Sequence, residues 1–234
     1  MKIERIFIIK NSVALLITAL GLIFLSREGA FDFWLASLSY DYSLSRFPLQ
    51  DHILLESIGH TGLRNFAIFI WFIILGLFIF SFRSQKLAAW RHSLAFGTVA
   101  ILSSTLIVSL VKSMTAHACP WDLTNFGGTL HWYPLLGSYD DVQKLGKCWP
   151  GGHSSGGFAF VGGYFALCLF WARAARWILA FALVLGGVMS LIQQIRGAHF
   201  LSHNLWSLWF CWMVSFLFYL LWPWPHAAKE PFKN

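Results

Sequence analysis

The sequence predicts an all-α fold, a polytopic bundle of six transmembrane helices in one domain spanning residues 1–234, and three observations carry that expectation. Only 12% of the residues are charged and 57% are hydrophobic, whereas a soluble domain carries about 25% charge. Six apolar runs recur along the chain, and the basic residues crowd to one side of them.

The runs cover residues 12–25 (with 6–9 ahead of them), 66–82, 93–111, 158–171, 177–192 and 205–222. About 20 helical residues cross a bilayer, and somewhat fewer suffice when polar ends belong to the span. None contains an interior proline, so six uninterrupted helices are expected. The first run follows Lys2, Arg5 and Lys10, as a cleaved signal peptide would. Ser26 to Ala30 is a poor small-residue cleavage site, however, and a retained anchor is expected.

An even number of spans places both termini on one side. With the termini in the cytoplasm, the inner segments hold Lys2, Arg5, Lys10, Arg83, Lys86, Arg91, Arg173, Arg176, Lys229 and Lys233 against only Glu4 and Glu230. The outer segments hold Arg27, Arg46, Arg64, Lys112, Lys144, Lys147 and Arg196 against a slightly larger number of acids. That asymmetry obeys the positive-inside rule. The net charge of +7 therefore reports topology and carries no nucleic-acid footprint. Tryptophans near span ends (Trp90, Trp171, Trp177, Trp222 and Trp224 inside; Trp132, Trp149 and Trp206 outside) fit interfacial belts.

Two outer segments are long, residues 27–63 and 112–157. In the first, residues 49–58 are apolar at helical spacing and predict a short interfacial helix. The second is polar and carries Cys119 and Cys148, whereas Cys168 and Cys211 lie in spans and are expected to pack. In an oxidising outer compartment the first pair is expected to join, with two free thiols as the alternative. The bond closes a loop of about 30 residues and contributes roughly 3–4 kcal/mol.

Three strings at helix ends on the outer side carry chemistry. Pro150-Gly151-Gly152-His153 precedes the fourth span; its glycines let backbone approach a ligand, and the helix start points free N–H groups outward. A plain capped turn with Ser154 is the alternative. Gln193 to Asn204 places polar groups at the end of the fifth span, which is costly unless they are paired or face a wet cavity. His199 and His203 share a helical face if the sixth span begins by residue 199, and a neutral imidazole is a nucleophile toward phosphorus. Lys112 ends the third span, where an interface lysine that snorkels is the alternative.

In this order, Lys112-x6-Cys119-Pro120, Pro150-Gly151-Gly152-His153 and His199-x3-His203 resemble the type 2 phosphatidic acid phosphatase superfamily. Its pattern reads Lys-x6-Arg-Pro, Pro-Ser-Gly-His and Ser-Arg-x5-His-x3-Asp. The resemblance implies that His199 attacks phosphorus, that His153 protonates the leaving lipid oxygen, and that Lys112 with the backbone at Gly151 and Gly152 holds phosphate oxygens. It implies no metal and no other cofactor. The chain departs from the pattern at Cys119 for the first arginine, Gly151 for the serine, Gln193 for the second arginine and His203 for the aspartate. Arg196, three residues past Gln193, is expected to supply the lost guanidinium on a continuing helix. His203, or Asp122, is expected to serve His199 in place of the missing carboxylate.

The expected function is a lipid-phosphate phosphatase or phosphotransferase at the periplasmic face of a bacterial inner membrane. Its expected substrates are undecaprenyl diphosphate, a glycerolipid phosphate such as phosphatidylglycerophosphate, or a lipid A phosphate. A catalytically diverged lipid-phosphate carrier is the alternative. A zinc or copper site drawn from His117, Cys119, His131, Cys148, His153, His199 and His203 is a third reading. Phosphate-binding P-loops, dinucleotide fingerprints and nucleophile elbows are absent from the sequence.

Overall fold

The computed structural model describes residues 2–137 and 146–224. Lys144, Lys229, Glu230 and Lys233, used in the charge balance, lie outside the described residues. Helices α1 (Lys2–Glu28), α3 (Leu63–Phe80), α5 (Arg91–Ser113), α8 (Ala172–Ile195) and α9 (Leu201–Leu221) form the bundle, with shorter α2 (Ala30–Ser37), α4 (Gln85–Ala88), α6 (Gly152–Phe158) and α7 (Val161–Leu167) between them. Among the described residues, five helices are long and apolar enough to cross a membrane, which makes this a multi-pass membrane protein.

The expectation of six uninterrupted helices needs correction at the fourth run. Between α6 and α7 the hydrogen bonds tighten to i→i+3, from Phe160 N to Gly157 O (3.3 Å), Gly162 N to Ala159 O (2.9 Å) and Gly163 N to Phe160 O (2.8 Å). The run and the turn leading into it hold Gly156, Gly157, Gly162 and Gly163, glycine being a weak helix former, and Gly157 is there for packing. A Cβ on Gly157 would stand 2.4 Å from Gly186 N, and one on Gly186 would stand 2.2 Å from the Phe158 ring. Bare backbone lets α6 press onto α8, and small residues at membrane-helix crossings do this routinely. Proline was the wrong breaker to look for.

The buried core lies between α5, α6, α7, α8 and α9, around Phe96, Ala100, Val108, Val161, Phe165, Ala182, Met189 and Cys211. Indole donors tie the outer helices to it. Trp209 Nε1 donates to Leu15 O (2.9 Å), Trp212 Nε1 to Asn11 Oδ1 (2.9 Å) and Trp71 Nε1 to Thr98 O (3.0 Å). Trp206, expected in an interfacial belt, is instead buried and donates to Ser26 Oγ (3.1 Å). Trp171 and Trp177 keep the exposed positions that a belt requires.

The separate interfacial helix expected at residues 49–58 does not form. Residues 55–62 wind as a π-helical stretch that runs directly into α3, so His60 and Arg64 belong to the mouth of that span. Wide π turns are often found at functional sites. Outside the bundle, a second apolar cluster of Ala36, Phe47, Ala118, Leu123, Phe126 and Phe200 caps the outer end. This cap clamps the chain just after His199.

Candidate functional site

The turn that carries His199 is built by a glycine. Gly197 sits at φ +75, and it closes α8 with a Schellman pair, Ala198 N to Gln193 O (2.8 Å) and Gly197 N to Gln194 O (2.9 Å). A Cβ there would also lie 2.4 Å from the Phe47 ring. The chain then runs extended through Phe200 and enters α9 at Leu201. His199 and His203 therefore do not share a helix as expected, because α9 begins two residues after His199. Their rings nevertheless stand 5.9 Å apart.

The start of α9 is capped from far away. Asp32, 3% exposed, accepts hydrogen bonds from Ser202 N (3.0 Å) and from Ser202 Oγ. A carboxylate at a helix N-terminus meets its free N–H groups and the positive end of its dipole. Burial raises the pKa of Asp32, and the Ser202 bonds pull it back down. The sequence reading missed Asp32; the signal was an acid alone in an apolar stretch, which must find a partner.

The Gly-Gly turn is held against α9 by Gly151 N donating to His203 O (2.9 Å) and Ser207 Oγ donating to Gly151 O (2.7 Å). Gly151 thus spends its own N–H inside the protein, and its missing side chain makes room for Asn204, whose Oδ1 would be 2.5 Å from a Cβ. Thr115 Oγ1, just past α5, donates to Trp149 O (2.7 Å) and draws the turn toward Lys112. Ser154 Oγ donates to Gly151 O (2.9 Å) within the turn.

These constraints gather one constellation. Lys112, Gly152, His153, Gln193 and His199 line a cavity of ≈ 720 Å³ together with His60 and Arg64. A Cβ on Gly152 would lie 3.7 Å from Lys112 Nζ. The His153 ring lies against that of His60, with centroids 4.4 Å apart and planes tilted by 32°, and its Nε2 faces Gly59 O at 3.4 Å. Gln193 is buried, and its Nε2 has no hydrogen-bond partner among the described residues. A buried amide donor on a cavity wall marks a place for an acceptor. Burial, with Lys112 and the His203 and His153 rings, holds the His199 pKa well below its ordinary value, so the ring is neutral at neutral pH.

Arg196 is engaged elsewhere. Its Nε donates to Gln50 O (2.8 Å) and its guanidinium lies 3.8 Å from Glu56, fastening the outer segment to the end of α8. The arginine on the cavity wall is Arg64, which the sequence reading counted only as outer-segment charge, and the neighbouring His60 it passed over. The signal was a His-x3-Arg pair at helical spacing against an apolar run. Asp122 accepts from the Trp121 indole (3.1 Å). His203 is buried beside the site with an unpartnered Nδ1. Cys119 and Cys148 form a disulfide. Their sulfurs and His199 lie within 4.8 Å of one another, but joined sulfurs are not the thiolates that zinc takes.

Away from the polar end, the cavity continues as an apolar slot between α3 and α5, along Ala67, Ile68, Trp71 and Phe72 on one wall and Ile101, Leu102 and Thr105 on the other. From Lys112 to Ile101 the slot follows α5 for about 16 Å at 1.5 Å per residue. Ile68, Phe72 and Leu102 are exposed, so the slot opens sideways where lipid would lie.

No curated protein and no solved structure is a significant match to the chain. A family model, described as the PAP2 superfamily, matches residues 93–226.

Proposed function

The chain belongs to the PAP2 superfamily, the type 2 phosphatidic acid phosphatases, and we propose that it is an integral-membrane lipid-phosphate phosphatase that works through a phosphohistidine on His199. One observation carries the reading: Lys112, Gly152, His153, Gln193 and His199 line a single cavity whose other end is an apolar slot open to the bilayer. A phosphorylated headgroup would occupy the polar end and its chain the slot.

In the proposed reaction the His199 lone pair forms an N–P bond while the P–O bond to the lipid breaks. His153, entering as the imidazolium, gives its proton to the departing lipid oxygen and is left neutral. Water then attacks phosphorus, gives its proton to His153 and breaks the N–P bond, releasing inorganic phosphate and restoring both rings. Lys112, the Gln193 amide and Arg64 would hold the phosphoryl oxygens, with Arg64 in the part first expected of Arg196. Such prearranged donors are usually the largest contribution to the rate. Transfer to a second lipid in place of water uses the same first step.

The charge asymmetry supports a reading with the termini in the cytoplasm and this cavity at the periplasmic face of a bacterial inner membrane, α6 and α7 then serving as a sixth crossing. Candidate substrates are undecaprenyl diphosphate, phosphatidylglycerophosphate and lipid A phosphates. Purified protein in detergent should release phosphate from at least one of these. His199→Ala should lower turnover on the order of 10³–10⁶-fold, as loss of a nucleophile does. An acid-labile, base-stable phosphoryl adduct should be trapped on the wild-type protein only. Tight lipid-phosphate binding with no turnover would instead select the carrier reading, which the missing arginine at Cys119 and the missing aspartate at His203 motivate.

A further inference from the structure

The Cys119–Cys148 bridge does more than close a loop, because it ends against the ring of His199. Cys148 Sγ lies 3.2 Å from His199 Nδ1, and both residues are buried. A disulfide sulfur has no hydrogen to give, so toward an imidazole nitrogen it only accepts. The Cys148 backbone carbonyl, the other group of that residue acting on the ring, is an acceptor as well. His203, at the position of the family aspartate, has its own Nδ1 unpartnered, and the Asp32 carboxylate is engaged by Ser202. A neutral imidazole carries one ring proton, and the group facing each nitrogen decides which one holds it.

We infer that the Cys119–Cys148 disulfide is the positioning group for His199, accepting from Nδ1–H and thereby keeping the reactive lone pair on Nε2. The inference rests on His199 being the nucleophile of the proposed phosphatase. In the attack, Nε2 forms the bond to phosphorus while Nδ1 keeps its proton toward sulfur, and the disulfide gains and loses no electrons. Sulfur is a weak acceptor, so it orients the neutral ring without drawing a second proton onto it as a carboxylate would.

The bridge is itself held rigidly. Cys148 N donates to His117 O (2.8 Å) and Gly146 N to Ala116 O (3.0 Å), pairing the two cysteine segments, while Trp121 N donates to Gly197 O (3.0 Å) and locks the bridge to the His199 turn. Cys148 Sγ also lies 3.1 Å from Ala198 O, so the sulfur is seated on the residue next to the nucleophile.

The test is nitrogen-15 NMR of histidine-labelled, oxidised wild-type protein at neutral pH, with the His199 signals assigned by their loss in His199→Gln. The expected result is a proton on Nδ1; a proton on Nε2 overturns the inference. In Cys119→Ala/Cys148→Ala the tautomer should become mixed and kcat should fall on the order of 10²-fold with KM changed less than about twofold. Losing a tautomer-fixing partner costs up to about 10⁴-fold in the best-isolated case. Adding His203→Asp to that variant should recover most of the lost kcat by restoring an acceptor. A variant that keeps the Nδ1–H tautomer and wild-type kcat, or a kcat loss that His203→Asp leaves in place, also overturns the inference and leaves the bridge a staple. Should the double variant fail to fold, the wild-type tautomer still decides. A wild type that turns over no lipid phosphate defeats the phosphatase reading alone, because the spectrum reports the contact independently.

Discussion

In the proposed reaction His199 serves only while it is neutral, and its surroundings are arranged to keep it so. Burial is the main cause, with Lys112 and the rings of His203 and His153 adding to it. An imidazole whose pKa falls on folding contributes stability that is present above its unfolded value, about 6.5, and is lost as pH falls toward the folded value. Turnover should follow the same sign. We expect the His199 limb of the kcat profile to lie below pH 6.5, with any fall on the alkaline side belonging to His153, which must carry a proton to act as the acid; a His199 limb at or above 6.5 in the pH–rate profile would contradict this. Gln193 gives a second prediction. In the proposed reaction its unpartnered amide donates to a charged phosphoryl oxygen, a bond worth about 1.5–3 kcal/mol. Gln193→Leu should lower kcat/KM on the order of tenfold to a hundredfold, with no loss of thermal stability in detergent.

At the scale of elements, two short junctions aim the site. The Schellman turn at Gly197 ends α8, and Asp32 caps α9 through Ser202, three residues past His199. Gly197→Ala puts an L side chain at φ +75 and a Cβ against the Phe47 ring, so it should cost about 1–3 kcal/mol and lower the midpoint of thermal unfolding. Asp32→Ala removes the cap of α9 and strands Ser202, a loss of about 0.5–2 kcal/mol from the cap alone. Both changes should reduce turnover as well, since each frees the segment that carries His199. Unaltered turnover in Asp32→Ala would mean that α9 keeps its start without the carboxylate.

Across the whole molecule, the outer cap and the bundle meet at the cavity, and close helix packing sets how the two fit. Gly186 and Gly187 offer a paired test of that packing. A Cβ on Gly186 collides with the Phe158 ring at 2.2 Å, whereas a Cβ on Gly187 meets nothing within 4 Å. Gly186→Ala should force α6 from α8, lower the thermal midpoint and displace Gly152 and His153. Gly187→Ala should be neutral or slightly stabilising, because alanine is the better helix former by about 1 kcal/mol. Equal effects from the two would show that the α6–α8 crossing is looser than described.

Composition and periodicity by themselves determined that this is a membrane bundle and where its long helices run; the order of the three strings and their resemblance to the family pattern put Lys112, the Gly-Gly-His turn and His199 together. Those features are local: hydropathy is read over about 20 consecutive residues, and the three strings sit at helix ends. The pairing of Cys119 with Cys148 was legible too, from compartment and position. What the tertiary structure alone decided is which groups face the cavity. Arg196 lies three residues from His199 yet is spent on Gln50 and Glu56, while Arg64, far away in sequence, lines the site. Asp32 reaches Ser202 across a separation of 170 residues. The break in the fourth run likewise follows from Gly157 meeting Gly186 on another helix. The physical reason is common to all three: a buried polar or bare-backbone group is satisfied by whatever packing brings beside it, and no spacing along the chain records that neighbour.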